Sequence, residues 1–330
     1  MSFSPRTTGI AAAVITVLIW TAFIVIARAS AGHTLNAFDL AFMRIVGAGS
    51  VLLPLGFWLV RRQRAAGAGA GVGAGAGWLG LSPLPFRLTA LIGLFAGLLY
   101  AMLAYAGFFY APAAHASVLL PGSLPLWTTL LAALMLGTRI TAARACGLLL
   151  IVAGDLLVGG MSLLKAFEGG NVWKGDLLFM MAAFTWAVYS VLARRHALDA
   201  VKATVAVTVF AFLTYVPAYA VLALLEWVPS RLAEAPVGEL LFQAVFQGVG
   251  SVVISGTTFT LMIRYFGPVR STMITALVPG LSALGAVVFL NELMSWNLVA
   301  GLALVTAGIV FGVRTVAVAA PAVPATGPAA

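Results

Sequence analysis

Ten stretches of about twenty predominantly apolar residues follow one another with short connections, at 9–28, 38–60, 87–110, 115–136, 143–163, 173–193, 203–227, 240–263, 269–290 and 296–316. A helix rises about 1.5 Å per residue, so about 20 residues cross the ~30 Å hydrocarbon core of a bilayer. Strands of a membrane barrel would be shorter and would alternate apolar with polar residues, which these stretches do not. Composition agrees: 62% of the 330 residues are hydrophobic and 8% are charged, with mean hydropathy +1.10. Soluble domains carry roughly 25% charged residues. The chain is therefore expected to be a polytopic helical membrane protein, with the lipid bilayer as its solvent.

The net charge of +9 does not point to nucleic acid. The basic residues sit at span ends and obey the positive-inside rule. With a cytoplasmic N-terminus, 13 of the 18 Lys and Arg fall on the inner side, and only Arg28, Arg44, Lys165, Lys174 and Arg231 on the outer. Both termini are thus expected in the cytoplasm, with the chain in the plasma (inner) membrane. "ARAS" at 27–30 resembles a small-residue cleavage site, but the apolar run before it is long and its pattern recurs internally, so a retained first span is expected. A single cysteine, Cys146, excludes an internal disulfide.

The internal recurrence is the second constraint. "IWTAFIVIAR" (19–28) is matched by "TWAVYSVLAR" (185–194), an offset of 166 that places Trp20 on Trp186 and Arg28 on Arg194. "CGLLLIVAGDLLVG" (146–159) aligns with "AGLALVTAGIVFGV" (300–313) at an offset of 154, which also carries Leu124-Pro125 onto Val278-Pro279. The difference is accounted for by "RRQRAAGAGAGVGAGAGW" (61–78), whose Gly/Ala string at 65–77 reads as a flexible linker. Five spans per repeat is odd, so the second copy enters from the opposite side and the repeats are inverted, a plan common in secondary transporters. Residues 1–163 and 164–316 are expected as the two repeats, and 317–330 as a disordered cytoplasmic tail.

Inversion gives the two tryptophans a meaning. Eight residues of helix span about 12 Å, so Trp20 and Trp186 reach the midplane from opposite faces. An indole N–H there needs a helix partner or a cavity. Pro125 and Pro279 sit near the middle of spans 4 and 9, and each should disturb the carbonyl four residues earlier, at Pro121 and Thr275. Matched broken helices at the midplane point to a binding site, although a kink that only shapes the helix is the plainer alternative. Tyr100 lies near the midplane, Tyr105 further out, and Tyr189 on the face of Trp186. Span 8 offers the hydroxyls of Ser255, Thr257, Thr258 and Thr260, each able to bond its own backbone instead. His115 either caps span 4 or meets substrate near the outer mouth. Asp155, near the centre of span 5, is a candidate proton site or a packing residue. Asp39 and Arg44 are expected to pair or snorkel, and Glu292 to be interfacial. Gly93–Gly97 and Gly308–Gly312 are small-residue patterns suited to internal packing.

No nucleophile elbow, zinc-protease motif or phosphate loop occurs, and no cofactor or metal is implied. Spans 3, 4, 8 and 9 hold no Lys or Arg near their centres, which weakens the case for phosphorylated substrates.

These features resemble the drug/metabolite transporter superfamily, EamA type, over about 9–316. The Trp-x7-Arg endings, "FDLAFMR" (38–44) and "LVPGLSALGAVVFLNELMSWNLVAGLALVTAGIVFG" (277–312) carry the resemblance, with "FLNE" (289–292) similar to the family's Phe-Leu-Gly-Glu. The first half departs there, with Thr138 where Glu292 sits. The resemblance implies an all-α bundle of ten helices in two inverted five-helix repeats around a central cavity. Spans 1, 3, 4, 6, 8 and 9 would surround it, with Trp20, Tyr100, Pro125, Trp186 and Pro279 on or near it and spans 5 and 10 away from it. It also implies a transporter rather than an enzyme. The expected function is export of small organic metabolites, foremost aromatic and apolar amino acids, by alternating access. A multidrug or organic-cation exporter is the alternative, and a non-transporting scaffold or membrane enzyme the third reading.

Overall fold

The computed structural model describes the backbone of residues 5–65, 78–275 and 277–316, and side chains for 7–65, 78–275 and 277–311. The Gly/Ala string from 66 to 77 and the tail 317–330 lie outside the described residues. Ten helices run in order: α1 (Pro5–Ser30), α2 (Ala37–Ala65), α3 (Phe86–Tyr110), α4 (Ala113–Leu136), α5 (Ala142–Ala166), α6 (Val172–Arg195), α7 (Ala200–Leu224), α8 (Val237–Phe266), α9 (Pro268–Leu290) and α10 (Trp296–Val316). Among the described residues nine are long and apolar enough to cross a membrane, and the tenth is a shorter apolar helix. No strand occurs among the described residues.

Glycines show how the two halves are related. A Cβ on Gly154 would lie 2.6 Å from the Gly301 carbonyl oxygen, and one on Gly308 only 2.4 Å from that of Gly147. Gly147 and Gly301 are repeat equivalents, as are Gly154 and Gly308. Each therefore meets the equivalent of its neighbour's partner, the reciprocal contact that a two-fold axis generates. The early end of α5 meets the late end of α10, so the two helices run antiparallel and the repeats are inverted. No side chain fits between them, which is why the small residues recur at this spacing.

The same close approach sets α2 against α8, where a Cβ on Gly47 would stand 2.1 Å from the Ala244 carbonyl oxygen. In the matching contact of α3 with α7, Gly93 is covered by the Phe210 side chain, a notional Cβ being 2.4 Å from it. The small-residue pair Gly93–Gly97 thus serves packing within the chain.

Four of the helices that meet in the middle are interrupted. Residues Gly93–Leu99 of α3 and Ala244–Ile254 of α8 form wide, π-helical turns, and these segments coincide at the 154-residue offset. Val118–Gly122 of α4 is also π-helical, with Pro121 inside it and Pro125 starting the regular helix that follows. Its equivalent in α9 is the break between Pro268–Ile274 and Leu277–Leu290. The two breaks touch: the Gly122 backbone lies against Pro279, a notional Cβ being 3.9 Å from its ring. π-helical turns loosen the i→i−4 ladder and gather at functional positions.

Candidate functional site

The two tryptophans meet at the centre. Their rings stand 5.8 Å apart at 79°, edge to face. Tyr100 joins them, 4.7 Å from Trp186, and Phe259 lies 4.8 Å from Trp20 and 5.7 Å from Trp186. Tyr189 follows one turn later on α6, 5.3 Å from Trp186. Trp20 donates its indole N–H to Ser255 Oγ at 3.3 Å. The Trp186 N–H is buried and has no partner.

Trp186 divides two small voids. One is walled by Trp20, Phe23, Tyr100, Pro121, Leu124 and Val278, with α1, α3, α4, α6 and α9 contributing. The other lies between α2, α3, α6, α7 and α8, and is bounded by Arg44, Tyr189, Thr204, Thr208, Ser251 and Gly256. Their free volumes are about 20 and 30 Å³, room for a water or two. Neither void holds a molecule the size of an amino acid in this arrangement. Larger clefts of about 400 and 710 Å³ open sideways between α4, α5 and α6 and between α1 and α9. Leucines with more than half their surface exposed line both, which marks these clefts as lipid-facing.

The sequence-derived residues separate on this geometry. Trp20, Tyr100, Pro121, Trp186 and Tyr189 border the voids. Tyr105 is fully buried among aromatic side chains, 6.0 Å from Phe23. Its hydroxyl has no hydrogen bond of acceptable geometry, although the Arg44 guanidinium stands near it. Thr257 donates to Thr204 Oγ1 at 3.4 Å and lines neither void. Pro125 and Pro279 are buried and do not line the voids themselves, but each directly follows a wall residue, Leu124 and Val278. The Thr275 carbonyl, expected to be freed by Pro279, accepts the Val278 N–H at 2.9 Å, because the chain turns tightly at the break. Its hydroxyl bonds the Thr272 carbonyl at 2.7 Å.

His115 lines neither void; its Nδ1 pairs with Asp176 Oδ1 at 2.9 Å, and Ser162 donates to the other Asp176 oxygen. That network joins α4, α5 and α6. Asp155 faces the lateral cleft beside Asp176, with both carboxylate oxygens buried and without a partner.

Asp39, Glu292 and Arg28 each hold helix ends together. Asp39 does not pair with Arg44. It accepts from the backbone N–H of Asn36 and Arg231 and from the Tyr219 hydroxyl. Glu292 is bound to protein: its carboxylate accepts the N–H groups of Ala113 and Ala114, both at 2.9 Å, capping α4. A negative charge is favoured at that helix end. Arg28 pairs with Glu292 at 3.4 Å and donates to the Phe108 carbonyl at 2.7 Å, tying α1, α3, α4 and the end of α9 together. Its equivalent Arg194 is exposed and forms no ion pair among the described residues.

Arg44 is the residue that sequence reasoning misplaced. It is buried at 5% exposure, donates to Ser251 Oγ at 2.8 Å and reaches the Gln247 carbonyl at 3.5 Å. Its guanidinium lies 5.5 Å from the Phe23 ring and 5.9 Å from that of Tyr100. Positive charge therefore does reach the centre, from α2 rather than from spans 3, 4, 8 or 9. The available signal was its place seven residues inside an apolar helix.

Inverted five-helix repeats with matched helix breaks are a plan common among membrane transporters. A model of the EamA-like transporter family matches residues 7–160 and again 173–314; the chain belongs to that family. Twenty-two chains of solved structures match it. One, described only as the crystal structure of a protein, is 24% identical, covers 94% of this chain and 97% of its own, and superposes with a TM-score of 0.57. That likeness is one of fold. No curated protein matches significantly.

Proposed function

We propose that this transporter exports small organic metabolites, foremost aromatic and apolar amino acids, across the plasma membrane by alternating access, with both termini in the cytoplasm. The observation that carries the reading is the contact of Trp20 with Trp186 where the inverted halves cross, beside both helix breaks. Flat aromatic walls suit an apolar side chain. The binding residues are Trp20, Tyr100, Trp186 and Tyr189, with the loosened backbone around Pro121 available to accept from an ammonium group. The small size of the two voids and the Arg28–Glu292 tie, which has no ion-paired counterpart at Arg194 among the described residues, support a cycle that passes through a contracted state. Residues 1–163 and 164–316 act as the two rocking units. A buried guanidinium beside the aromatic cluster disfavours the organic-cation alternative.

Counterflow in proteoliposomes preloaded with unlabelled amino acids or lipophilic cations tests the reading. Aromatic and apolar amino acids are expected to drive labelled uptake, and the double variant Trp186→Ala/Tyr100→Ala to lose it. Wild-type flux in that variant, or exchange of cations alone, contradicts the proposal.

A further inference from the structure

Arg44 is a guanidinium in the membrane interior without a counter-ion. All nine Asp and Glu of the chain are among the described residues, and the ion pairs they form are Arg28–Glu292, His115–Asp176 and Arg264–Asp199. None reaches Arg44. An arginine stays protonated in proteins, and an ionised side chain at this depth is costly unless it is paired. Both of its hydrogen bonds leave from one terminal nitrogen, Nη1. The Tyr105 hydroxyl is the further polar group that stands near the fork.

The groups around it are donors too. Trp186 Nε1 and Thr208 Oγ1 border the same void, are more than nine-tenths buried, and have no partner. Gln247, completely buried beside Arg44 but not on the wall of that void, has both amide atoms unpaired, the Nε2 donor and the Oε1 acceptor. A void walled by two unpaired groups able to donate, the Trp186 indole N–H and the Thr208 hydroxyl, beside one fixed positive charge suits an oxyanion.

The opposite half shows that the fold itself does not need this cluster. At the repeat offsets, Arg44 corresponds to Phe210, and Gln247 and Ser251 correspond to Gly93 and Gly97. There, Phe210 simply packs over Gly93. An aromatic ring and two glycines do the structural work in one half; the polar residues in the other serve something else.

We propose that Arg44 is the anchor for a carboxylate on the substrate, held with Ser251, Trp186 and Thr208, while the apolar part of the same molecule lies against Trp20 and Tyr100. One guanidinium neutralises a monocarboxylate, whereas a phosphate dianion would leave an uncompensated charge in a low-dielectric site. The substrate class is therefore a small monocarboxylate with an aromatic or apolar group, of which a neutral amino acid and a simple arylalkanoate are two forms. The inference rests on the exporter reading for its transport arm and stands apart from it in its binding arm.

The test compares four compounds on the full-length protein: L-phenylalanine, 3-phenylpropionate, L-phenylalaninamide and phenethylamine. Counterflow in proteoliposomes reads transport, and tryptophan fluorescence in detergent reads binding beside Trp20 and Trp186. The two carboxylates are expected to exchange and to perturb fluorescence, and the amide and amine to do neither. Arg44→Gln should lose roughly tenfold or more on both carboxylates, about 1.4 kcal/mol, and no longer tell acid from amide; Arg44→Lys should keep part of the response. Ser251→Ala, expected to weaken carboxylates by a smaller factor, keeps the test decisive should Arg44→Gln not fold. Wild-type carboxylate exchange in Arg44→Gln, or equal handling of acid and amide by the unaltered protein, overturns the anchor and leaves the exporter reading in place. Arg44-dependent fluorescence changes without any flux keep the anchor and overturn the exporter. Silence in both assays overturns both.

Discussion

The two voids beside Trp186 share a wall and differ in almost everything else. One is carbon and aromatic ring: Trp20, Phe23, Tyr100, Leu124 and Val278, with only the loosened backbone at Pro121 to offer polarity. The other carries a guanidinium and a set of hydroxyls from Tyr189, Thr204, Thr208 and Ser251. An apolar ligand has no use for the second, and an inorganic ion none for the first. Together they fit a molecule with one apolar end and one charged end, with Trp186 as the residue that must move for both ends to be held at once. The pseudo-two-fold axis makes the difference more telling, because the scaffold supplies equivalent backbone in each half and only the side chains break the symmetry.

The largest expected effect comes from the joint that presents Arg44. A Cβ at Gly47 would meet the Ala244 carbonyl at 2.1 Å. Gly47→Ala should therefore force α2 from α8 and destabilise the fold by about 3 kcal/mol, the upper part of the usual overpacking range. Thermal unfolding in detergent measures it, and an unchanged melting temperature would mean that the two helices do not meet this closely.

Trp186→Ala comes next. It merges the voids and removes the aromatic wall, and should lower the initial rate of L-phenylalanine counterflow roughly tenfold, about 1.4 kcal/mol. Retention of the wild-type rate would show that the partition carries no function.

Glu292→Gln should leave substrate preference alone, since it lies outside both voids. It removes the charge that caps α4 and pairs with Arg28, at a cost of about 1 kcal/mol in stability. Altered selectivity among the four test compounds would contradict the separation of this helix cap from the voids. The smallest effect belongs to Asp155→Asn. Because Asp155 faces the lateral cleft, flux and its pH dependence are expected to match the unaltered protein; a lost pH dependence would make it a coupling site.

Much of this architecture was legible in the sequence because it depends on local rules. Apolar length sets each span, an odd number of spans per repeat sets the inversion, and Pro121, Pro125 and Pro279 set two of the four interruptions. The meeting of Trp20 with Trp186 follows from their shared distance to Arg28 and Arg194. The π-helical turns of α3 and α8 contain no proline, and their glycines read equally well as packing residues, so nothing local announced them. Arg44 near the start of an apolar stretch looks like a residue that snorkels or pairs with Asp39. Its real destination depends on Gln247 and Ser251, more than 200 residues away, and Asp39 is taken by Tyr219 and the Asn36 and Arg231 backbone instead. Glu292 was opaque for the same reason, since the helix end it caps lies in the other repeat. Long polar side chains in lipid go where a distant helix offers a partner, and a single sequence does not say which helix that is.

The most direct test is a structure of the protein with L-phenylalanine bound. The account predicts the carboxylate within hydrogen-bond distance of Arg44 and Ser251, the ring between Trp20 and Tyr100, and Trp186 displaced to join the two voids. A ligand seated in the cleft at Asp155, or one whose carboxylate points away from Arg44, would contradict it.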